Sequence, residues 1–229
     1  MTKKLLIDNR YIDVANKKWG REFEIIPSPT LENVAKPVSC HPDMSILRVG
    51  EVFLCEKTVY EYYKKCFPEI NLISGETVLS RNYPEDITYN VLISENIAIG
   101  NFKYTDRVVK SELLKQNIKT FNTNQGYAKC ASVVFENCII TADSSIFKTA
   151  QEAGLKALKI VEGSVSLPGY NYGFLGGASG FIDGKLLFFG DIKKHPDFEK
   201  IREFAVENKI LIDYIENYPL TDVGTIIGI

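Results

Sequence analysis

His41 and Asp43 stand two residues apart in the stretch Ser39-Cys40-His41-Pro42-Asp43-Met44, and the chain has only one other histidine. An imidazole and a carboxylate on one loop are parts of a proton relay. They become a nucleophilic site if a thiol from another loop comes within reach, because a neighbouring cation favours the thiolate. Cys130 is the first candidate for that thiol. It lies in Gly126-Tyr127-Ala128-Lys129-Cys130-Ala131, so His41 or Lys129 could supply the cation. Cys40 is the alternative. Cys55 and Cys138 fall inside apolar runs and Cys66 near a helix end, where a cysteine serves as a small hydrophobe. The same residues also have a structural reading: His41-Pro42-Asp43 as a turn with Pro fixing φ, and Cys130 as part of the core.

The acids suggest what such a site would hold. Asp43, Asp86 and Asp222 could form an acidic lining, and a planar cation such as a guanidinium is held best by bidentate carboxylates. Asn90, in Pro84-Glu85-Asp86-Ile87-Thr88-Tyr89-Asn90, and Ser179, in Gly176-Gly177-Ala178-Ser179-Gly180, are further polar candidates. Gly176-Gly177 with Gly180 is not a phosphate loop, since no Lys-Ser/Thr follows.

Residues so far apart need an architecture that gathers them, and the chain supplies one by repeating itself. Val52-Phe53-Leu54-Cys55, Ile97-Ala98-Ile99-Gly100, Cys138-Ile139-Ile140-Thr141 and Leu186-Leu187-Phe188-Phe189 recur at steps of 45, 41 and 48 residues. Leu5-Leu6-Ile7-Asp8 stands 47 residues before Val52. The period is about 45 residues, so five units fill the chain.

The unit from Gly126 to Gly169 is the clearest. Cys130–Phe135 reads as a strand, Glu136-Asn137 as a hairpin turn and Cys138–Thr141 as the returning strand. Asp143 or Ser144 caps a helix to about Ala153, Gly154 ends it, and residues 155–161 alternate as a further strand. Other turns are expected at Val49-Gly50, Glu95-Asn96 and Asp183-Gly184. Other helices are expected at about 57–66, 106–116 and 196–207, with a shorter one within 9–19.

The expected fold is therefore α/β: a five-fold pseudosymmetric propeller of ββαβ units in one domain. Its units span about 1–38 with 220–229, 39–82, 83–125, 126–175 and 176–219. The two chain ends should complete one unit, with residues 223–229 beside residues 4–8. The candidate residues all fall on loops leading into the first strands, so they should meet on the axis.

Composition narrows the partners. The chain has 229 residues, 45% hydrophobic and 24% charged, which is ordinary for a soluble globular protein. A net charge of −2 gives no support for a nucleic-acid or anionic-membrane surface. No apolar run approaches the roughly 18 residues that span a bilayer. The basic-then-apolar start is cut off by Asp8, too soon for a signal peptide. Five cysteines at irregular spacing, with no CxxC pair, read as reduced cytoplasmic thiols rather than a metal site or disulfide framework, and no cofactor is expected.

A ring of five ββαβ units resembles the pentein fold, the five-bladed α/β propeller of the guanidino-group-modifying enzymes. Within that superfamily the chain is most similar to a small uncharacterised bacterial group, on the stretch Leu167-Pro168-Gly169-Tyr170-Asn171-Tyr172-Gly173-Phe174-Leu175-Gly176-Gly177. The resemblance implies a cysteine nucleophile, a histidine acid/base and carboxylates that grip a guanidinium. It also departs at one place: the diagnostic Gly-Gly-x-x-Cys appears as Gly176-Gly177-Ala178-Ser179-Gly180.

Two readings follow. In one, Cys130 attacks the amidino carbon of a small cationic guanidino-type molecule, His41 carries the proton and Asp43 orients the cation, with Asp222, Asp86, Asn90 and Ser179 as binding groups. The product forms by hydrolysis or group transfer. In the other, the ring is a non-catalytic binding protein with a protein or small-molecule partner.

Overall fold

Each of the five repeats folds into one three-stranded sheet with a helix behind it, in a computed structural model that describes residues 3–229. Blade 1 combines Ile227–Gly228, Lys4–Ile7 and Glu24–Pro27. Blade 2 is Ile46–Val49, Val52–Cys55 and Asn71–Ser74; blade 3 is Leu92–Ser94, Ile97–Gly100 and Lys119–Asn122. Blade 4 is Ser132–Phe135, Cys138–Thr141 and Lys156–Lys159; blade 5 is Ser179–Ile182, Lys185–Phe188 and Leu211–Tyr214. In every blade the middle strand runs antiparallel to the first and parallel to the last. This is the five-unit α/β propeller expected from the repeat, with open sheets arranged as a ring.

The local chemistry explains the repetition. Four hairpins close with two-residue turns containing a positive φ: Gly50, Glu95, Glu136, and Asp183 with Gly184. Such turns match the right-handed twist of the strands they join. Each helix then covers its sheet with an i, i+4 pair: Ala15 and Trp19, Tyr63 and Phe67, Val109 and Leu113, Ile146 and Ala150, Ile201 and Ala205. All ten side chains are essentially fully buried, so every blade has its own small core.

A polar side chain after each middle strand caps the helix or turn that follows. Asp8 accepts from Arg10 N, Glu56 from Thr58 N, Asp106 from Val108 N and Val109 N, Asp143 from Ser145 N and Ile146 N, and Asp191 from Lys193 N. These side chains satisfy amides that a helix leaves unpaired.

The ends of the chain meet as expected, but by a shorter strand. Only Ile227–Gly228 pairs with Leu5–Leu6, and Lys4 and Ile229 exchange backbone hydrogen bonds at 3.0 and 3.2 Å. Residues 222–226 bond across to blade 5 instead. Val223 N and Thr225 N donate to Gly177 O, and Ile226 N to Ser179 O. Gly224 and Thr225 both have a φ of 69°, a turn that extended pairing would not allow.

Candidate active site

The chain makes one tight turn before it enters each first strand. In blade 2 the turn is Pro42–Ser45; in blade 4 Ala131 N bonds to Tyr127 O and Ser132 N to Lys129 O; in blade 5 Ala178 N bonds to Phe174 O. Cys130 therefore lies in a turn, not in the strand that its alternation suggests, and the strand starts at Ser132. The turn aims a side chain at the axis. The residue two places before each first strand is Met44, Asn90, Cys130, Gly177 or Thr225. Three of these, Asn90, Cys130 and Thr225, meet around one carboxylate.

That carboxylate is Asp43. Its Oδ2 accepts from the Cys130 thiol at 2.9 Å and from Thr225 Oγ1 at 2.7 Å. Asn90 holds the thiol from the other side, with Nδ2 at 3.2 Å from Sγ, while its Oδ1 accepts from Lys129 N at 2.8 Å and Cys130 N at 3.3 Å. All of these side chains except Lys129 are buried. Burial pushes the Cys130 thiol well above its ordinary range; the charges of Asp43 and Asp222 and the thiol's own bond to Asp43 push the same way, against Asn90. Cys130 in the free protein is thus a protonated thiol. A thiolate would face two carboxylates, and His41 makes no hydrogen bond to it.

His41 sits beside this group. Its Nδ1 is 3.7 Å from Asp222 Oδ1 and its Nε2 is 3.8 Å from Asp8 Oδ2, too far for hydrogen bonds, and both nitrogens are buried without a partner. Asp8 is already gripped by Arg10, whose Nε lies 2.9 and 3.1 Å from its two oxygens. Asp222 has no such cation. Its Oδ2 accepts from Phe174 N at 2.8 Å and its Oδ1 from Gly224 N at 3.0 Å. Burial raises its pKa, His41 opposes this, and Asp43 adds to it. Asp43 Oδ1 is also buried without a partner.

Glycines make room for this arrangement. A Cβ on Gly177 would lie 2.0 Å from Asp222 Oδ1, one on Gly173 2.5 Å from Asp222 Cβ, and one on Gly224 2.1 Å from His41 Cβ. Gly173 and Gly177 of the 167–177 stretch are thus the mould of an aspartate about fifty residues later in the chain. Gly180 is equally constrained: a Cβ there would meet Ile226 O at 2.2 Å. No cysteine fits at the place where the resemblance expects one.

The site opens into a cavity of about 440 Å³ that His41, Cys130 and Asp222 line. Tyr127, Tyr170, Tyr172, Phe174 and His195 contribute to its walls. The structure brings Cys130, His41, Asp43, Asp222 and Asn90 together. It sets three other candidates apart. Asp86 does not line the cavity; it stands behind Tyr127, accepting its hydroxyl at 2.5 Å, and burial raises its pKa against that bond. Ser179 donates to Gly176 O at 3.0 Å and has no contact with the thiol group. Cys40 lies against Thr30 Oγ1 at 3.3 Å, away from Asp43.

Sequence reasoning missed Thr225, Asp8 and His195. His195 lines the cavity wall, where its Nδ1 accepts from Asp197 N at 3.1 Å and burial lowers its pKa. The one signal for Asp8 was its place in the repeat. Thr225 carried none.

Among the described residues no helix is long and apolar enough to cross a membrane. Comparison with curated proteins gives no match. Among solved structures, DDAH from Pseudomonas aeruginosa, a cysteine-to-serine mutant in complex with citrulline, is 11% identical with a TM-score of 0.57; the match covers 94% of this chain and 92% of that one. A dimethylarginine dimethylaminohydrolase adduct with 4-chloro-2-hydroxymethylpyridine is 10% identical with a TM-score of 0.55, covering 94% and 93%. At this identity the likeness establishes the fold, which is that of the pentein superfamily. Residues 6–227 match the model of a family of unknown function, DUF6873, and the chain belongs to that family.

Proposed function

We propose that the axial group binds a guanidinium or amidinium cation and that Cys130 attacks its central carbon. One observation carries the reading. A buried thiol that lines a cavity touches a carboxylate behind it, and the polar atoms around it, Asp43 Oδ1 and both nitrogens of His41, lack partners. Buried polar atoms left unpaired cost about 1–3 kcal/mol each, and a ligand with several N–H donors removes that cost at Asp43 Oδ1 and at the acceptor nitrogen of a neutral His41. Two carboxylates select a cation, and their planar geometry suits a forked donor. One fold relative is named a dimethylarginine dimethylaminohydrolase, and dimethylarginine is a guanidino compound, which supports the same class.

The raised thiol pKa fits this scheme. The negative field of Asp43 and Asp222 holds the proton on sulfur until a cation arrives. A guanidinium seated between them cancels that field and lowers the thiol pKa where attack must occur. Cys130 Sγ then bonds to the amidino carbon. The thiol proton passes to Asp43 Oδ2, which already accepts it, and from there to the departing amine as its C–N bond breaks, with His41 in the cavity wall beside it. Water or a second amine releases the group from sulfur, giving hydrolysis or transfer.

Gly180 favours a second reading, since the ring has closed off the cysteine place of the resemblance: a non-catalytic protein that binds the same cation. Incubating the protein with alkylguanidines and weighing it by mass spectrometry separates the two. The enzyme reading expects a covalent increment mapped to Cys130, amine release, and loss of both in Cys130→Ser. Binding without an increment, with turnover absent, overturns catalysis and leaves the binding reading.

A further inference from the structure

The far end of the cavity describes the rest of the ligand. Besides the buried Asp222, its lining carries Asp143, half-buried, and Glu162, exposed. Among the described residues no lysine or arginine lines it. Lys159 lines a neighbouring groove that shares Asp143 and Glu162, and it donates its ammonium to the carbonyl of Ala142. Lys129 stands outside the cavity lining, within the field of Asp43 and Cys130.

Glu162 is exposed and accepts the hydroxyl of Tyr172 at 3.0 Å, which fixes it at the mouth. Tyr170 and Tyr172 are 52% and 38% exposed on the same rim. Asp143 is firmly ionised: burial would raise its pKa, but hydrogen bonds from Ile146, Ser145 and Gln125 outweigh this and lower it. A carboxylate brought into this space would lose water, gain no cation and face three acids. An ammonium would find a carboxylate hydrogen-bonded to Tyr172, in a lining that also holds Tyr170, and both carboxylates and aromatic faces attract cations.

Resting on the guanidino reading above, we infer that the substrate is a guanidino or amidino compound whose far end carries an amine and no carboxylate. Glu162, with Tyr170 and Tyr172, is the specificity-determining group.

The test compares three ligands on the full chain by calorimetry: 4-aminobutylguanidine; arginine, which differs from it by one carboxylate; and butylguanidine, which lacks both end groups. The aminobutyl compound should bind at least about tenfold more tightly than arginine, as one unpaired charge implies. It should bind about threefold more tightly than butylguanidine, the scale of a partly exposed charge pair. Glu162→Lys should move the preference toward arginine by about tenfold.

Arginine binding as tightly as the aminobutyl compound overturns this inference and leaves the guanidino reading standing. Butylguanidine binding as tightly as the aminobutyl compound overturns the amine. Failure of all three to bind the folded protein overturns this inference and the guanidino reading together.

Discussion

Asp106 and Asp222 are both aspartates at the end of a sheet, both 1% exposed, and the fold treats them in opposite ways. Asp106 follows a middle strand on the outer side of the ring. It accepts backbone N–H groups from Glu76, Thr77, Val108 and Val109. Burial would raise its pKa, but these bonds and that of the Thr77 hydroxyl outweigh it and lower it. Asp222 precedes a first strand on the inner side and accepts two amides, and its pKa is raised. Asp143 behaves like Asp106; Asp86 behaves like Asp222. Asp106 and Asp143, which follow middle strands, are thus spent on stability, whereas Asp86 and Asp222, which precede first strands, are held with raised pKa values. Underpaired buried charge is what a site keeps for a ligand.

Truncation should show the largest contrast. Asp106→Ala strands four backbone donors, so it should cost about 3 kcal/mol of unfolding free energy, read from urea denaturation. A loss under about 1 kcal/mol would mean that water replaces the carboxylate, and the outer set would no longer differ from the inner one.

Gly177→Ala carries the contrast to the axis. The new methyl would sit 2.0 Å from Asp222 Oδ1, so either the loop or the carboxylate must shift. The expected cost is about 1–3 kcal/mol, the usual range for forced overpacking. Guanidinium binding should be lost with it. A variant that binds normally would show that Asp222 is not part of the cation site.

Asp43→Asn should cost little stability and much function. The amide oxygen can take the place of Oδ2 toward Cys130 and Thr225, while the NH₂ replaces an oxygen that has no partner. Stability should stay within about 1 kcal/mol of wild type. Cation binding should fall about a hundredfold, the scale of one charge-assisted bidentate contact. The thiol of Cys130 should also titrate at lower pH, since the Asp43 charge is one of the causes that raise it; burial, the largest cause, remains. Thiolate absorbance against pH reads this directly, and an unchanged titration would remove Asp43 as the group that holds the proton on sulfur.

Which of these features the sequence could reveal depends on range. The blades were legible because each is a local unit. A two-residue turn and an i, i+4 apolar pair recur within forty-odd residues, and the helices lie where the periodicity put them. His41, Asp43, Asp222 and Cys130 were legible as axial residues because the repeat fixes which loops face inward. The partners were not. Thr225 reaches Asp43 across 182 residues of chain, and nothing near either one records the other. The alternation at Cys130-Ala131-Ser132 looks extended because a turn and a strand use the same apolar residues, and packing of blade 4 against the ring decides between them. Gly173 and Gly177 were visible, but the aspartate that they make room for lies in another blade.

The smallest effect is the dependence of stability on pH, and it should have opposite signs for the two sets. Asp143 has a lowered pKa in the folded protein, so it stabilises above the unfolded carboxylate value of about 4, and that stability is lost as pH falls through its folded value. Asp86 has a raised pKa, so between about pH 4 and its folded value the folded state binds the proton more tightly, and stability falls as pH rises through that window. Replacing each by asparagine isolates its contribution. Asp143→Asn should be less stable than wild type at neutral pH, and the gap should close on acidification. Asp86→Asn keeps an acceptor for the Tyr127 hydroxyl and fills the place of an oxygen without a partner, so it should match or exceed wild type at neutral pH. Its advantage should vanish below about pH 4, where the wild-type carboxyl is protonated in both states. Unfolding free energies of the three proteins between pH 3 and 8 decide the point. Two difference curves of the same sign would mean that acids before the first strands and acids after the middle strands are equally satisfied, and the contrast between Asp106 and Asp222 would not extend to this second pair.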